Sequence, residues 1–352
     1  MKPVAVALAQ LGVPPAIIFT GQHPQLEPRA YGLDTFKNVS LGQAGREDPH
    51  AHVGAVTKAL LPLLVPAAPE LLVVQGDTSS ALGAALAGFT AGVPVAHVEA
   101  GLRTHDPALP WPEEEYRTAI DARADLLFAP TEVSAENLRA ERVPGEIFVT
   151  GNTGVDAVLE AEARQGPRML REAAGPRILV TCHRRESWGD GLAAIGGAIK
   201  EIAAQGGANF EVVLHPNPFV AESMRGCLGQ AEGVSLLPPC GHDELLRRMR
   251  DCDLVLSDSG GIQEEAPALG IPLLVLREKT ERPEGIAAGA SRLVGTDRAR
   301  IVHEVRVLLK NRAALAAMSR RVFPFGNGNA GRQIGAIIVE WLERRSLTRR
   351  IA

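Results

Sequence analysis

The segment SDSGGIQEEAPALG (257–270) carries the clearest pattern for binding a charged ligand. Glu265, about one helical turn into its predicted helix, could bind the two hydroxyls of a ribose. Small residues let a ligand approach the backbone, and the free N–H groups and dipole of a helix N-terminus favour a phosphate. The alternative is that the segment is only a tight strand-to-helix turn, with Glu264 and Glu265 exposed to solvent. The small residues that follow the apolar run DLVL and open the helix are Ser259, Gly260 and Gly261.

Arg282 has the chemistry to neutralise a diphosphate near this helix. It lies in REKTERPEG (277–285), which directly follows the apolar run PLLVL. A guanidinium presents a planar fork of donors that matches phosphate oxygens. Surface arginines are more often paired with an acid, here Glu281 or Glu284. The position of Arg282 at a predicted strand end favours the functional interpretation.

Three carboxylates of the first half lie at a strand end or a helix start. Asp77 follows LLVVQ, Glu99 follows PVAHV, and Glu113 lies in PWPEEEYR. Each has a structural alternative, because Asp77 could cap the next helix and acidic residues stabilise a first helical turn. Carboxylates that converge can hold different protonation states, as acid/base chemistry requires. Their convergence on one cleft would therefore indicate catalysis.

Several histidines also follow predicted strands. His183 and Arg184 lie in TCHRRES, and His215 ends the next strand in LHPNP. His23 follows the first predicted strand in TGQHPQL. A histidine can transfer a proton or donate to a phosphate, and arginines add positive potential. The alternative is a capping histidine with solvated arginines, which the repeated placement of histidines at strand ends disfavours.

These residues must be positioned by alternating strands and helices. Continuous Val, Leu and Ile runs are typical of parallel strands covered on both faces, and the helical stretches between them are typical of crossover helices. Two such sheets, facing a cleft, would bind a ligand at their strand ends. The predicted strands are 16–20, 71–75, 94–99, 125–130 and 146–151 in the first half, and 177–182, 210–215, 234–237, 253–258 and 272–277 in the second.

A polar stretch with two Gly-Pro pairs, 160–177, predicts the boundary between two domains. We expect an α/β fold with Rossmann-like domains at 1–165 and 172–328, the second binding the nucleotide. A last helix within 329–352 could cross back towards the first domain.

Composition restricts the class of protein. The 352 residues are 45% hydrophobic and 22% charged, which suits packed cores rather than disorder. A net charge of −4 gives no sign of a nucleic-acid or anionic-membrane partner. The four cysteines have no metal-ligand spacing and the start is a poor signal peptide, so we expect a cytoplasmic protein without a metal. Walker, GxGxxG, GxSxG and HExxH motifs are absent, which disfavours P-loop, dinucleotide, esterase and zincin chemistry.

The ordered blocks of sequence resemble non-hydrolysing UDP-N-acetylglucosamine (UDP-GlcNAc) 2-epimerases. They include QGDT, HVEAGLRT, PWPEEEYR, TGNTGVDA, HRRES, HPNP, SDSGGIQEEAPALG and TERPEG, and they extend from about residue 3 to the last helix. The resemblance implies a glycosyltransferase-B-like fold of two Rossmann-like domains and usually a homodimer. It also implies reversible conversion of UDP-GlcNAc to UDP-ManNAc, a precursor of cell-surface polysaccharides, without metal or nicotinamide cofactor.

The resemblance also implies a mechanism and assigns residues to it. A base removes the C2 proton while UDP leaves C1, which gives a glycal, and protonation from the other face precedes the return of UDP. Some relatives bind a second UDP-GlcNAc as an activator. The matching catalytic positions are Asp77, Glu99, Glu113 and His183, the UDP-binding positions are Lys2, Ser259, Gly260, Gly261, Glu265 and Arg282, and the activator positions are Gln22, His23, Gln25, Arg184 and His215.

The sequence departs from the family at three places. The family begins with a strand and a GTRPE motif before a lysine that matches Lys2, so the resemblance implies that the first strand is missing here. Leu245 stands where an aromatic residue near the uracil is common, and Pro24 replaces an arginine of the activator site.

Two other functions stay open at this point. A glycosyltransferase of the same architecture would share the nucleotide half, although the acidic set Asp77, Glu99 and Glu113 favours elimination chemistry. A nucleotide-sugar-binding protein without turnover is the other alternative, and the missing GTRPE segment favours it.

Overall fold

The computed structural model describes residues 1–23, 28–166, 175–182, 184, 187–229 and 231–351. It divides into two compact units, of which the first comprises Met1–Ala157 with Phe325–Ala352 and the second Val158–Pro324. In the described part of the chain no helix is both long and apolar enough to cross a membrane.

The first unit ends at Ala157 and the second begins at Val158, inside the helix α6 (Thr153–Gln165). The last turns of α6 interact with second-unit residues: Gln165 Nε2 donates to the Asp243 carbonyl at 2.7 Å, and Glu162 pairs with Arg321 at 2.8 Å. Residues 167–174, within the stretch where the boundary was expected, lie outside the described residues.

The first unit contains a four-stranded parallel sheet with the order β3-β4-β5-β6 and a separate parallel pair, β1 with β2. The central strands β4 and β5 are fully buried, as their largely apolar sequences predict. The strands are β1 Ile17–Phe19, β2 Asn38–Ser40, β3 Leu72–Gln75, β4 Val95–Val98, β5 Leu126–Ala129 and β6 Glu146–Val149.

Two helices from opposite ends of the sequence cover one face of this sheet. The first, Lys2–Gln10 (α1), packs with the last, Ala330–Ile351 (α14), through a core that includes Leu8, Ile334 and Phe128. The last helix therefore belongs to the first unit. The remaining helices of this unit are α2 Pro49–Ala67, α3 Ser79–Ala91, α4 Glu113–Asp121, α5 Glu132–Glu141 and a 3-10 turn at Pro28–Tyr31.

The second unit is built on one six-stranded parallel sheet with the order β12-β11-β10-β7-β8-β9. Read from its other edge, this is the doubly wound Rossmann order, in which the chain direction across the sheet reverses between β7 and β10. Its strands are β7 Arg177–Thr181, β8 Asn209–Val213, β9 Val234–Leu237, β10 Leu254–Ser257, β11 Leu273–Val275 and β12 Ser291–Leu293.

Helices cover both faces of this sheet and form two apolar cores. The larger core packs residues such as Ile195 of α7 and Val305 of α12 on Leu256. The helices are α7 Asp190–Ala204, α8 Pro218–Leu228, α9 His242–Asp251, α10 Gly260–Leu269, α11 Pro283–Ala287, α12 Arg298–Lys310 and α13 Arg312–Met318.

Three short strands differ from the sequence prediction. The first predicted strand forms β1, but it is only half-buried and pairs with β2 rather than with the larger sheet. β2 is wholly exposed and β12 is three residues long, so neither has the buried apolar run that identified the other strands.

Candidate functional site

The carboxyl ends of β7 and β10 meet where the strand order of the second unit reverses. The two strands are hydrogen-bonded neighbours, and the hydroxyls of Thr181 and Ser257 lie 2.6 Å apart at their ends. In a doubly wound sheet the ligand binds in the crevice at this point. Arg184 follows β7 and the Ser-Gly-Gly segment follows β10, so both sequence signals lie at this position.

The Ser-Gly-Gly segment forms the start of a helix, as predicted. Ser259 is the N-terminal cap and α10 begins at Gly260. A Cβ added to Gly260 would lie 2.8 Å from Arg282 Nη1 and 3.3 Å from Arg184 Nη2, so two guanidinium groups lie against this glycine. A helix N-terminus flanked by two arginines can bind an anion through backbone N–H groups and charge together.

Buried carboxylates hold these arginines in place. Arg282 Nε donates to Glu264 at 2.5 Å, and its Nη1 donates to Glu281. Glu281 also accepts from Arg277 at 2.8 Å, and it lies 3.9 Å from Arg184. Because the side chains of Glu264 and Glu281 are buried, these pairs are poorly screened and fix the guanidinium of Arg282 against α10. Arg282 is thus buried rather than a surface arginine.

Glu265 is also held by a partner rather than solvated. Its Oε1 lies 3.0 Å from Nε2 of His242, the first residue of α9. The Glu265 side chain is 13% exposed and that of His242 is 42% exposed. The alternative of a plain turn with two solvated glutamates is therefore wrong for both Glu264 and Glu265.

In the first unit, Asp77 follows β3 and pairs with Arg117 of α4. It does not cap α3, because Thr78 does so by accepting from Ala81 N at 3.2 Å. Arg117 is almost completely buried, whereas the Asp77 side chain is 25% exposed. The buried arginine thus orients the Asp77 carboxylate, part of which stays accessible to a ligand. The alternative that Asp77 caps α3 is wrong.

Glu99 lies beside the residue that precedes Asp77. A Cβ on Gly76 would be 3.1 Å from Glu99 Oε2. Glu99 Oε1 accepts from Asn152 at 2.7 Å and Oε2 from Gln75 at 3.1 Å. Its backbone has a φ of 69°, an unfavourable conformation for a residue with a side chain, which is often retained at functional sites.

Glu113 is the first residue of α4, one turn before the arginine that binds Asp77. The neighbouring Glu114 is buried, pairs with Arg117 at 3.2 Å and accepts from the backbone N–H of Thr104 at 3.0 Å. Arg117 of α4 thus contacts both Asp77 and Glu114. Asp77 follows β3 and Glu99 follows β4, so these two lie at the carboxyl end of the first unit's sheet. The convergence of Glu113 with them on one site stays a prediction.

A buried ion-pair network supports this edge of the sheet, and sequence reasoning missed it. His97 Nδ1 lies 2.6 Å from Asp121, which also pairs with Arg103 at 2.8 Å. The second ring nitrogen of His97 lies 2.9 Å from the Gly76 carbonyl, next to Asp77. Burial alone would lower the pKa of His97, but the charge and hydrogen bond of Asp121 outweigh it and raise that pKa. A histidine inside an apolar strand was the available signal.

The predicted activator residues divide between the two units. In the first unit Gln22 accepts from Ser80 Oγ at 2.7 Å, and His23 is exposed. In the second, Arg184 lies at the anion site, and Nδ1 of half-buried His215 accepts from Asn217 N at 3.0 Å. Gln25 lies outside the described residues, so the activator site stays a prediction.

Lys2, a predicted UDP ligand, and His183, a predicted catalytic residue, are the remaining predicted site residues. Lys2 begins α1, and its ammonium lies 3.9 Å from the position of a Cβ on Gly32. His183 lies outside the described residues, so its catalytic role stays a prediction.

Within the described ranges, no three acidic, histidine or cysteine side chains are grouped so that they could hold a metal ion.

Comparison with known sequences agrees with this geometry. The sequence model of the family described as UDP-N-acetylglucosamine 2-epimerase matches residues 8–339. The UDP-N-acetylglucosamine 2-epimerase of Salmonella typhimurium is 46% identical over 291 residues, which cover 78% of this chain and 77% of that protein. A probable UDP-N-acetylglucosamine 2-epimerase of Ralstonia nicotianae is 37% identical over 351 residues, 95% of this chain and 93% of its own length.

Solved structures of UDP-GlcNAc 2-epimerases are also similar to this chain. UDP-GlcNAc 2-epimerase from Neisseria meningitidis bound to UDP-GlcNAc has a TM-score of 0.90 at 33% identity, over 97% of this chain and 96% of its own. The Methanocaldococcus jannaschii enzyme in complex with UDP-GlcNAc and UDP has a TM-score of 0.84 at 30% identity, over 96% and 95%. The predicted glycosyltransferase-B-like α/β fold is confirmed. The chain belongs to the UDP-N-acetylglucosamine 2-epimerase family.

Proposed function

We propose that this protein interconverts UDP-GlcNAc and UDP-ManNAc by inverting C2 of the sugar. The main observation behind the proposal is the anion site where the strand order reverses between β7 and β10. There Arg282 and Arg184 lie against the start of α10. Related structures contain UDP-GlcNAc or UDP. In this chain the UDP ligands would be Lys2, Ser259, Gly260, Gly261, Glu265 and Arg282.

The reaction needs a base, a leaving group and an acid. A base takes the C2 proton, the C2 electron pair forms the C1–C2 double bond, and the C1–O bond breaks with its electrons on UDP. The glycal is then protonated at C2 on the opposite face, and UDP adds back to C1. Charge on the leaving diphosphate rises as C1–O breaks, so fixed guanidinium groups and helix N–H groups stabilise the transition state.

Asp77, Glu99 and Glu113 are our candidates for moving these protons, with His183 as a fourth. Asp77 pairs with the buried Arg117, and Glu99 accepts hydrogen bonds from Gln75 and Asn152. Both carboxylates are therefore held in place by other side chains of the first unit.

We further propose that the protein is cytoplasmic and forms a homodimer. All four cysteines are free thiols, as expected in a reducing compartment. Exposed apolar side chains on α2, Leu63 and Val65, are candidates for a contact between copies. Light scattering at micromolar concentration tests the dimer, and a Val65→Glu variant that remains dimeric would exclude this contact.

The decisive experiment is incubation with UDP-GlcNAc alone in heavy water. We expect UDP-ManNAc carrying deuterium at C2. Product without deuterium would exclude proton exchange with solvent. Turnover only when an acceptor is added would indicate a glycosyltransferase, and UDP-GlcNAc binding without any product would indicate a binding protein.

A further inference from the structure

Both ring nitrogens of His97 face groups that accept hydrogen bonds. Nδ1 lies 2.6 Å from Oδ1 of Asp121, and Nε2 lies 2.9 Å from the carbonyl oxygen of Gly76. A backbone carbonyl has no proton to donate, and neither has an ionised carboxylate. A neutral imidazole carries a proton on only one nitrogen, so the lone pair of the other would point at an oxygen. If Asp121 is ionised, both nitrogens of His97 must therefore carry a proton.

The surroundings of Asp121 favour its ionised form. Its Oδ2 accepts from the backbone N–H of Gly101 at 3.0 Å and pairs with Arg103 at 2.8 Å. Burial opposes ionisation, but the charges and hydrogen bonds of His97 and Arg103 outweigh it and lower the pKa of Asp121. Burial also opposes the charge on His97, but Asp121 and, less strongly, Glu99 raise the pKa of that histidine. A neutral Asp121 that donates to an unprotonated Nδ1 is therefore disfavoured.

A second buried histidine of the same unit has a different arrangement. His52 Nε2 lies 3.1 Å from the Gln43 carbonyl, but its Nδ1 lies 2.7 Å from the hydroxyl of Ser79. A hydroxyl can donate as well as accept, so a neutral ring with one proton satisfies both contacts of His52. The need for two protons thus comes from the two acceptors around His97 and not from burial.

The two protons of His97 connect α4 to the residue before Asp77. Asp121 and Arg117 lie four residues apart on α4, about one turn of the helix. Arg117 binds the Asp77 carboxylate, and Asp121 is joined through His97 to the carbonyl of the adjacent Gly76. α4 thus holds two consecutive residues, one by its side chain and the other by its backbone.

We propose that His97 is a positioning residue for Asp77 and that it acts as an imidazolium, donating one proton to Asp121 and the other to the Gly76 carbonyl. The inference rests on the proposed function, because it assumes that Asp77 takes part in moving the C2 proton. His97 is completely buried and acts on the reaction through Gly76. A misplacement of about 1 Å can lower turnover about a hundredfold. Loss of the donor to Gly76 should therefore lower kcat and leave UDP affinity unchanged.

Two amide substitutions separate the roles of the two ring nitrogens. The amide nitrogen of Gln reaches about as far as Nε2, and that of Asn about as far as Nδ1. His97→Gln therefore keeps a donor for Gly76, whereas His97→Asn keeps one for Asp121. We expect His97→Asn to lower kcat for UDP-GlcNAc about a hundredfold and His97→Gln to lower it less. A purely structural role predicts the reverse order, because His97→Asn keeps the contact with the buried charge of Asp121.

Thermal unfolding establishes that both variants are folded at the assay temperature. His52→Asn, the same substitution at the other buried histidine, is the control and should lower kcat much less than His97→Asn. Calorimetric UDP affinity should match that of wild type in all three variants. A kcat for His97→Asn equal to or above that of His97→Gln would overturn the positioning role through Gly76.

A second measurement, on wild type, counts the protons on each ring. Nitrogen-15 magnetic resonance at neutral pH should show a proton on both nitrogens of His97 and on one nitrogen of His52. A single proton on His97 would overturn the inference, whether or not the variants fold. These contrary results leave the proposed function intact as long as wild type forms UDP-ManNAc. A wild type without turnover removes the proposed function and, with it, the role of His97 in catalysis.

Discussion

The chemistry-bearing side chains differ in how firmly the protein holds them. Arg282 is fixed by two buried carboxylates, and Asp77 by one buried arginine. Fixed charges stabilise developing charge without reorganisation during the reaction. The anion site of the second unit is therefore preorganised by contacts within the protein.

Asp77 and Glu113 should be needed for turnover rather than for UDP binding. We expect Asp77→Asn and Glu113→Gln each to lower kcat about a hundredfold to ten-thousandfold, the usual contribution of a placed acid or base. Calorimetric UDP affinity should change little, because the proposed diphosphate site lies in the second unit. Glu115→Gln on the same helix is the control, since Glu115 is exposed. Near-normal kcat in both variants would exclude the assigned roles.

At the scale of elements, the connection from β4 to α4 depends on a buried ionised pair. His97 and Asp121 are both completely buried. Removing Asp121 would leave a buried charge on His97 without its partner, which costs about 3–5 kcal/mol, whereas removing His97 leaves Asp121 paired with Arg103. The pair therefore ties β4 to α4 and holds the Gly76 carbonyl next to Asp77.

Because the pKa of His97 is raised in the folded state, the pair should make stability depend on pH. The pair contributes fully to the free energy of unfolding below the pKa of an unfolded histidine, about 6.5. This contribution is lost as the pH rises through the higher pKa of His97 in the folded protein. We expect the amides of β4 to lose protection against exchange as the pH rises above about 6.5, relative to His97→Gln at each pH. A constant difference between the two proteins over this range would contradict a charged His97.

The contact between α1 and α14 depends on a close approach of backbones. A Cβ on Gly335 would lie 2.9 Å from Ala7 Cβ, whereas a Cβ on Gly54 of α2 would meet nothing within 4 Å. Gly335→Ala should destabilise the first unit by about 1–3 kcal/mol through overpacking. Gly54→Ala should stabilise it by about 0.5–1 kcal/mol through helix propensity. The measurement is the free energy of unfolding in denaturant. If Gly335→Ala and Gly54→Ala changed it equally, α1 and α14 would have to accommodate the added methyl group without a loss of stability.

The sequence predicted the elements whose pattern is local and missed what depends on tertiary contacts. Largely apolar runs identified β4, β5, β7 and β10, and Ser259 to Gly261 marked the start of α10. The exposed strand β2 has no such run. The partners of Glu264, Glu265 and Asp77 come from distant segments, so residue types alone left their structural alternatives open. His97 and His242 were missed because neither follows a strand end.

For the whole molecule, the division into two units predicts where UDP should act. Most of the proposed UDP ligands, including Gly260, Glu265 and Arg282, belong to the second unit. A ligand at 100 times its Kd stabilises the state that binds it by about 2.7 kcal/mol. We therefore expect UDP to slow amide exchange most at the start of α10 and in the segment from β11 to α11, by up to about a hundredfold. The strands β3 to β6 should change much less. Equal protection of both sheets would contradict a diphosphate site built mainly from the second unit, and Arg282→Gln should abolish the protection in α10.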